Sequence, residues 1–362
     1  MKTNKERIGV VTYHRALNYG AVLQSYALLF TLSRIGDESS AMLIDYRCPY
    51  IEQFYKVFKS NPFKRPISFL KELLYYPFVC LKRLKFCSFL RRNINISKKI
   101  KVRNITEIDK LFDRLIVGSD QVWNTHWNGN DRMYFLSYSK LPKHSYAASL
   151  GSTKFTKDET SLLYKELSQF LTISVREKST VNFLTEIGLS NIDVQLDPTL
   201  LVSQREWLRI ARPPKQRDYV LLYTLEKSVL LENKARELAR KHSTHVICIR
   251  DLFKRNGRYI YKSFISPEEF IGLFANAKFV LTNSFHGLMF SFIFRKIFFV
   301  HLQQKQDAPN SRIIDFLDDF GLMNRILSDE NIPSESINYT LSDEIFERKF
   351  SHSIEYLRRI VK

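Results

Sequence analysis

Two doubly wound α/β domains are what this chain predicts, and three observations carry the prediction. Its 362 residues exceed the size at which a single hydrophobic core stops growing. β-type runs alternate with helically spaced stretches on both sides of a turn-rich linker at 212–218, which contains Pro213 and Pro214. Residues 279–294 read as strand, tight turn and buried helix: apolar Phe279 to Leu281, the cap-type residues Thr282, Asn283 and Ser284, then a continuous apolar run from Gly287. His286 falls at that helix start, where unpaired N–H groups and the positive dipole end suit an anion. The alternative is a hydrogen-bonded core histidine; the capping cluster and Gly287 weigh towards a site.

Taken in order, residues 7–13 are a first strand and 14–20 a polar turn. Residues 21–32 are helically spaced, with Gly36 as the stop. Open sheets bind ligands beyond the carboxyl ends of their strands, which makes Asn18, Tyr19 and Gly20 candidate contacts. Gly20 reads equally as a plain turn residue. No GxGxxG motif is present, so a dinucleotide fingerprint is excluded. A second strand, 41–46, ends near Asp45.

Residues 54–103 change character. Glu72 is the single acid among many Lys and Arg, and aromatics are interleaved. Residues 69–76 and 81–90 predict two basic amphipathic helices broken at Pro77, inserted in the first domain. The pattern suits an anionic membrane surface or lipid-linked substrate, or equally a helical insertion with a solvated basic face. Nucleic acid is disfavoured because no binding module accompanies the charge.

Residues 114–121 are a buried strand ending in Gly118, Ser119, Asp120 and Gln121, with Trp123 beyond. Small polar residues followed by an aromatic suit a sugar or phosphate pocket, although Trp123 reads equally as core. A buried Asp120 must be paired or functional. Residues 143–151 and 170–177 are further strands. Arg176 stands at the carboxyl end of the second, where a guanidinium fork matches carboxylate or phosphate; the alternative is an ion pair with Glu177. Residues 191–199 close the first domain, 1–211. The alternation restarts at 219 and gives a second domain, 219–328. There Arg312 sits in the first turn of a helix, an unusual place for a cation unless it faces an anion. Residues 329–362 predict a C-terminal helix packing back across the domains.

The net charge of +19, from 56 Lys and Arg against 37 Asp and Glu, favours acidic partners. Four scattered cysteines form no CxxC pair, so neither a zinc site nor a disulfide framework is indicated. No apolar signal core opens the chain and no stretch is long enough to span a bilayer, so the expectation is a cytoplasmic protein, soluble or peripheral on the inner membrane face.

Asn18 to Gln24, Val117 to Asn124, Ile173 to Glu177, Leu196 to Thr199 and Ser284 to Gly287, in that order, resemble the polysaccharide pyruvyl transferase family. The resemblance implies two Rossmann-like domains facing a cleft, a GT-B-like fold. It also implies transfer of pyruvate from phosphoenolpyruvate to a sugar as a cyclic ketal, on a bacterial capsular or exopolysaccharide or its lipid-linked precursor. In the family an arginine at the position of Arg176 and the Ser284-Phe285-His286-Gly287 segment hold the donor. Some relatives carry arginine where Ser284 stands, so Arg312 or a nearby lysine is expected to supply that charge.

Ketal formation needs a proton on the enol methylene, for which a histidine is suited, and a base for two sugar hydroxyls, for which Asp120 and Glu177 are candidates. No cofactor beyond the donor and no metal is called for by the sequence. Two other readings stand beside this one: a GT-B-type glycosyltransferase using a nucleotide sugar, and a non-catalytic membrane-surface protein.

Overall fold

The computed structural model describes all residues except 1–4, 37–38, 57, 62, 153, 251–258 and 305–309. The chain forms two compact units, residues 1–201 with 349–362, and residues 202–348.

In the first unit six parallel strands are ordered β2-β1-β3-β4-β5-β6. They are β1 (Glu6–Val11), β2 (Ser39–Leu43), β3 (Arg114–Asp120), β4 (Lys143–Ala148), β5 (Ile173–Val175) and β6 (Ile192–Val194). The order reverses between β1 and β3, the switch point at which open sheets bind ligands. The inner strands are buried on both faces, as parallel strands covered by helices must be. Gly118 is required in β3: at φ 112° a Cβ would lie 2.3 Å from the Tyr146 carbonyl oxygen on β4.

In the second unit five parallel strands are ordered β11-β10-β7-β8-β9. They are β7 (Tyr219–Tyr223), β8 (Val246–Ile249), β9 (Ile260–Lys262), β10 (Ala277–Thr282) and β11 (Ile297–Val300). Here the order reverses between β7 and β10. The helix Phe285–Ile293 follows β10 with every residue buried, as its unbroken apolar sequence dictates.

Two sequence expectations are corrected. Pro77 does not divide the basic insertion, which is one helix, Pro66–Asn93, with Pro77 inside it. Proline deprives the carbonyl four residues back of its partner; Leu73 stands there with half its surface exposed, so water can take that carbonyl. Strand β9, three residues at the sheet edge, was not foreseen. The terminal helix Thr340–Val361 gives its residues up to 348 to the second unit and the rest to the first. In the first unit Tyr356 donates to the Ser145 carbonyl (2.8 Å) and Arg359 pairs with Asp193 (2.9 Å).

Two outcomes follow from this packing. A Cβ on Gly287 would lie 2.3 Å from Thr282 Oγ1, so Gly287→Ala is expected to cost about 1–3 kcal/mol in thermal or urea unfolding. His144 on β4 is buried, bonded through Nδ1 to Thr172 Oγ1 (2.9 Å), and held down to about 4 by burial and then by the Arg114 charge. The unfolded chain therefore takes up this proton first as pH falls, near 6.5. Stability is expected to drop between about pH 6.5 and 4, by up to about 1.4 kcal/mol per pH unit, and His144→Gln should flatten that slope.

Candidate active site

At the switch point of the first unit, Thr12 just beyond β1 donates to the Ser119 carbonyl (2.9 Å) and accepts from Gln24 Nε2 (2.8 Å). This ties the end of β1 to the end of β3, where Asp120 adopts the left-handed φ of 75° that Asp tolerates better than most residues. Asp120 Oδ1 accepts from the Gln121 N–H (2.9 Å).

Arg176, one residue past β5, is sunk among three carboxyl groups. Nε meets Glu177 Oε1 at 3.2 Å, Nη1 meets Asp197 Oδ2 at 2.9 Å, and Nη2 lies 3.8 Å from Asp120 Oδ1. Burial opposes its charge, but Glu177, Asp197 and Asp120 together raise its pKa. Asp197 is fixed in turn by the N–H and hydroxyl of Thr199 (3.0 and 2.7 Å). The arginine expected to grip an anion is therefore engaged by acids, and a phosphate brought here would face three carboxyl groups against one guanidinium. The ion-pair alternative is the one seen, extended by two further acids.

Asp120 is the most accessible member, its side chain 13% exposed against 3% for Glu177 and 0% for Asp197. Two phenols feel its charge. Burial and then Asp120 push Tyr55 up to about 12, and the same pair of causes raises Tyr13, so both are hydroxyl donors at neutral pH. Gln121 Nε2 and both polar atoms of the Gln195 amide are buried without a hydrogen-bond partner. Such groups cost about 1–3 kcal/mol each unless water or a ligand meets them.

Other candidate contacts also have partners within the fold. Asn18 caps the helix Tyr19–Ile35 by accepting from the Gly20 N–H (2.9 Å). Ser119 Oγ accepts from the Asp120 N–H (2.6 Å) and is fully buried. Trp123 is not a pocket wall. It is 0% exposed, its indole donates to the Tyr134 carbonyl (3.1 Å), and Phe170 packs edge-on against it.

The second unit builds its site on Thr282. Its hydroxyl donates to the Tyr223 carbonyl at the end of β7 (2.7 Å) and accepts from the Ser284 N–H (3.0 Å). Asn283 accepts from Leu225 N–H (2.8 Å) and donates to the Glu226 carbonyl (3.0 Å). Ser284 then caps the helix, its Oγ accepting from the Gly287 N–H at 3.4 Å. His286 lies in the first turn with 7% of its surface exposed, and Phe285 meets its ring edge-on at 5.3 Å.

Gln303 bridges to the neighbouring helix. It donates to the Asn283 carbonyl (3.0 Å) and exchanges two hydrogen bonds with Asn310 (3.0 and 2.8 Å). Helix Ser311–Asp319 begins there, and its Arg312 guanidinium stands 5.4 Å from the centroid of Phe285. The structure thus brings Arg312, Phe285, Ser284, His286 and Gly287 together in one unit, and Asp120, Glu177 and Arg176 together in the other.

Sequence reasoning missed Asp197, Gln195, Tyr13 and Tyr55 as parts of the first cluster. It also missed His14, whose Nε2 lies 3.1 Å from Asp45 Oδ1 and whose Nδ1 lies 3.1 Å from the Thr12 carbonyl. Asp45 is held down to about 2: burial opposes this, but the hydrogen bond and charge of His14 and the charges of Arg47 and Arg15 outweigh it. All but Tyr55, which caps the end of the helix Pro49–Phe54, stand at or just beyond the end of a β-type run, and Asp197 also lies in the Leu196–Thr199 stretch; Tyr55 carried neither signal.

No curated protein matches the sequence significantly. Among solved structures, a putative UDP-N-acetylglucosamine 2-epimerase from Listeria monocytogenes is similar at 9% identity and a TM-score of 0.53, over 99% of this chain and 91% of its own. A second UDP-N-acetylglucosamine 2-epimerase is similar at 13% identity and a TM-score of 0.50, over 99% of this chain and 94% of its own. These likenesses show the fold: two Rossmann-like domains of the GT-B-like class. The profile of the family described as polysaccharide pyruvyl transferase matches residues 18–300, a span that contains β3 with Asp120, Arg176 just past β5 and the whole of the Ser284 helix start, and the chain belongs to that family.

Proposed function

We propose that the chain transfers the pyruvyl group of phosphoenolpyruvate onto two hydroxyls of one sugar, making a cyclic ketal on a bacterial surface polysaccharide or its lipid-linked precursor at the cytoplasmic face of the membrane. The observation that carries the reading is His286 in the first turn of a Ser284-capped helix with Arg312 stacked on Phe285 beside it. A helix start and a guanidinium are the two features that recognise a small organic phosphate, and an imidazole among them is placed to move a proton.

In this reading His286 protonates the methylene carbon, and the adjacent carbon becomes electrophilic. One sugar hydroxyl adds there and gives its proton to Asp120. The carbon–oxygen bond to phosphorus breaks, phosphate departs with the bonding pair, and the second hydroxyl closes the ketal. Of the two hydroxyl protons, one replaces that spent on the methyl group and the other leaves with phosphate. Helix start and Arg312 hold the donor's phosphate and carboxylate. Arg176 is assigned a positioning role: together with Glu177 it fixes Asp120 where the hydroxyls are to be deprotonated. The fold alone does not favour nucleotide-sugar chemistry, and the products separate the two readings, inorganic phosphate here and a nucleoside phosphate there.

His286→Ala is expected to lower phosphoenolpyruvate-dependent phosphate release by about 10² to 10⁴ with an unchanged circular dichroism spectrum. Undiminished turnover in the folded variant removes His286 from the mechanism. Arg312→Ala and Asp120→Asn should split the kinetic constants. The first is expected to raise KM for phosphoenolpyruvate roughly tenfold or more, as loss of a charged hydrogen bond of about 1.5–3 kcal/mol requires. The second is expected to lower kcat at nearly constant KM for the donor; the reverse pattern contradicts the assignment.

A further inference from the structure

The helix Pro66–Asn93 is apolar on two faces. Its buried residues, Lys82, Phe86, Phe89 and Leu90, all lie in the C-terminal half and meet the body of the first unit. Nothing in the N-terminal half is buried, yet that half is not polar, and exposed apolar residues continue beyond it to Leu84. Ile67, Leu70, Leu74, Leu81 and Leu84 are 72, 56, 63, 47 and 68% exposed, and Phe63 just before the helix is 94% exposed. Steps of three, four and seven residues set Ile67, Leu70, Leu74 and Leu81 along one side of the helix. Scattered exposed leucines are ordinary on a protein surface, but an aligned stripe of this length is not.

The charge around the stripe has one sign. Lys64, Arg65, Lys71 and Arg91 are exposed along it. Glu72, the single acid between residues 54 and 103, is engaged by Lys59 N–H, Ser60 N–H and the Ser60 hydroxyl at 3.0, 3.1 and 2.8 Å. We propose that this helix face is a docking surface for the anionic lipid interface of a membrane, its aliphatic side chains entering the headgroup boundary and the flanking cations meeting the lipid phosphates.

Charge complementarity selects this occupant. A second copy of the chain laid on the same face would set cation against cation with no acid to answer. A nucleic acid would be met by the cations, but a stripe of isoleucine and leucine between them offers neither stacking nor hydrogen bonding to a base. An interfacial bilayer uses both halves of the pattern, apolar insertion and cationic attraction. None of the described helices is long and apolar enough to cross a membrane, so the contact is peripheral. The inference stands apart from the pyruvyl transfer reading, since it rests on residues outside both side-chain clusters.

The test is co-sedimentation of the full chain with vesicles of phosphatidylcholine alone and of phosphatidylcholine mixed with phosphatidylglycerol, with neither donor nor acceptor sugar present. Binding is expected to the anionic vesicles and to fall steeply as salt shortens the screening length from about 10 Å to about 3 Å. Lys64→Ala, Arg65→Ala and Lys71→Ala should each weaken partition about fivefold. Leu70→Ser with Leu74→Ser should weaken it at least about tenfold while the unfolding midpoint stays put, because neither side chain is buried. Equal sedimentation with both vesicle types, binding to neither, or binding indifferent to the leucine pair overturns the proposal. So does a concentration-dependent dimer in sedimentation equilibrium that the leucine pair dissolves, which would make the face a contact between copies. Vesicle binding and phosphate release are read separately, so failure of one leaves the other standing.

Discussion

A threonine hydroxyl closes each sheet's switch point, and the candidate chemistry hangs from these two bonds. Where strand order reverses, adjacent strand ends diverge and their last carbonyls lose ladder partners. Thr12 donates to the Ser119 carbonyl in the first unit and Thr282 to the Tyr223 carbonyl in the second. Each hydroxyl also accepts, from Gln24 in one case and from the Ser284 N–H in the other. The two bonds thus fix the backbone from which Asp120 and His286 project. Replacing Thr282 by valine would keep the shape and orphan both partners, which is why a hydroxyl and not merely a β-branched side chain is needed there.

The units carry opposite chemistry. The first gathers Asp120, Glu177 and Asp197 around one arginine, and its unmet polar atoms include those of the Gln121 and Gln195 amides, a group that both donates and accepts, and the Tyr13 hydroxyl. That suits a polyhydroxylated ligand better than an anion. The second offers a capped helix start, an imidazole and a guanidinium held on an aromatic face. That suits an anion. The proposed reaction, which joins a phosphorylated acid to a sugar diol, requires both kinds of surface, and the chain belongs to the family described as polysaccharide pyruvyl transferase.

Much of the fold was legible because long apolar runs bounded by turn residues leave few choices. The stretch at 279–294 was read as strand, cap and buried helix, and Ser284 does cap that helix. Arg176 was harder. Its nearest acid in sequence, Glu177, was visible as a possible partner, but Asp197 lies 21 residues on and meets it only because β5 and β6 are neighbours. Asp120 arrives from β3, farther still in sequence. No local pattern announces such a meeting, so the carboxyl groups that surround Arg176 could not be read from its own neighbourhood in the sequence. Trp123 was left open between pocket wall and core for a related reason: a strand-end aromatic can face the crevice or fold back, and here its indole N–H turns inward to the Tyr134 carbonyl. Pro77 inside a helix is the converse case, a strong local rule relaxed where water can take the orphaned carbonyl.

The central claim is that the enol ether carbon of phosphoenolpyruvate, not its phosphorus, is where bonds change. Phosphoenolpyruvate carrying oxygen-18 in the bridge between carbon and phosphorus, incubated with the chain and a lipid-linked glycan acceptor, tests it directly by mass spectrometry of the phosphate released. The account predicts inorganic phosphate that retains the label alongside a glycan gaining a pyruvyl ketal. Unlabelled phosphate, with the heavy oxygen left on the three-carbon fragment, would contradict it.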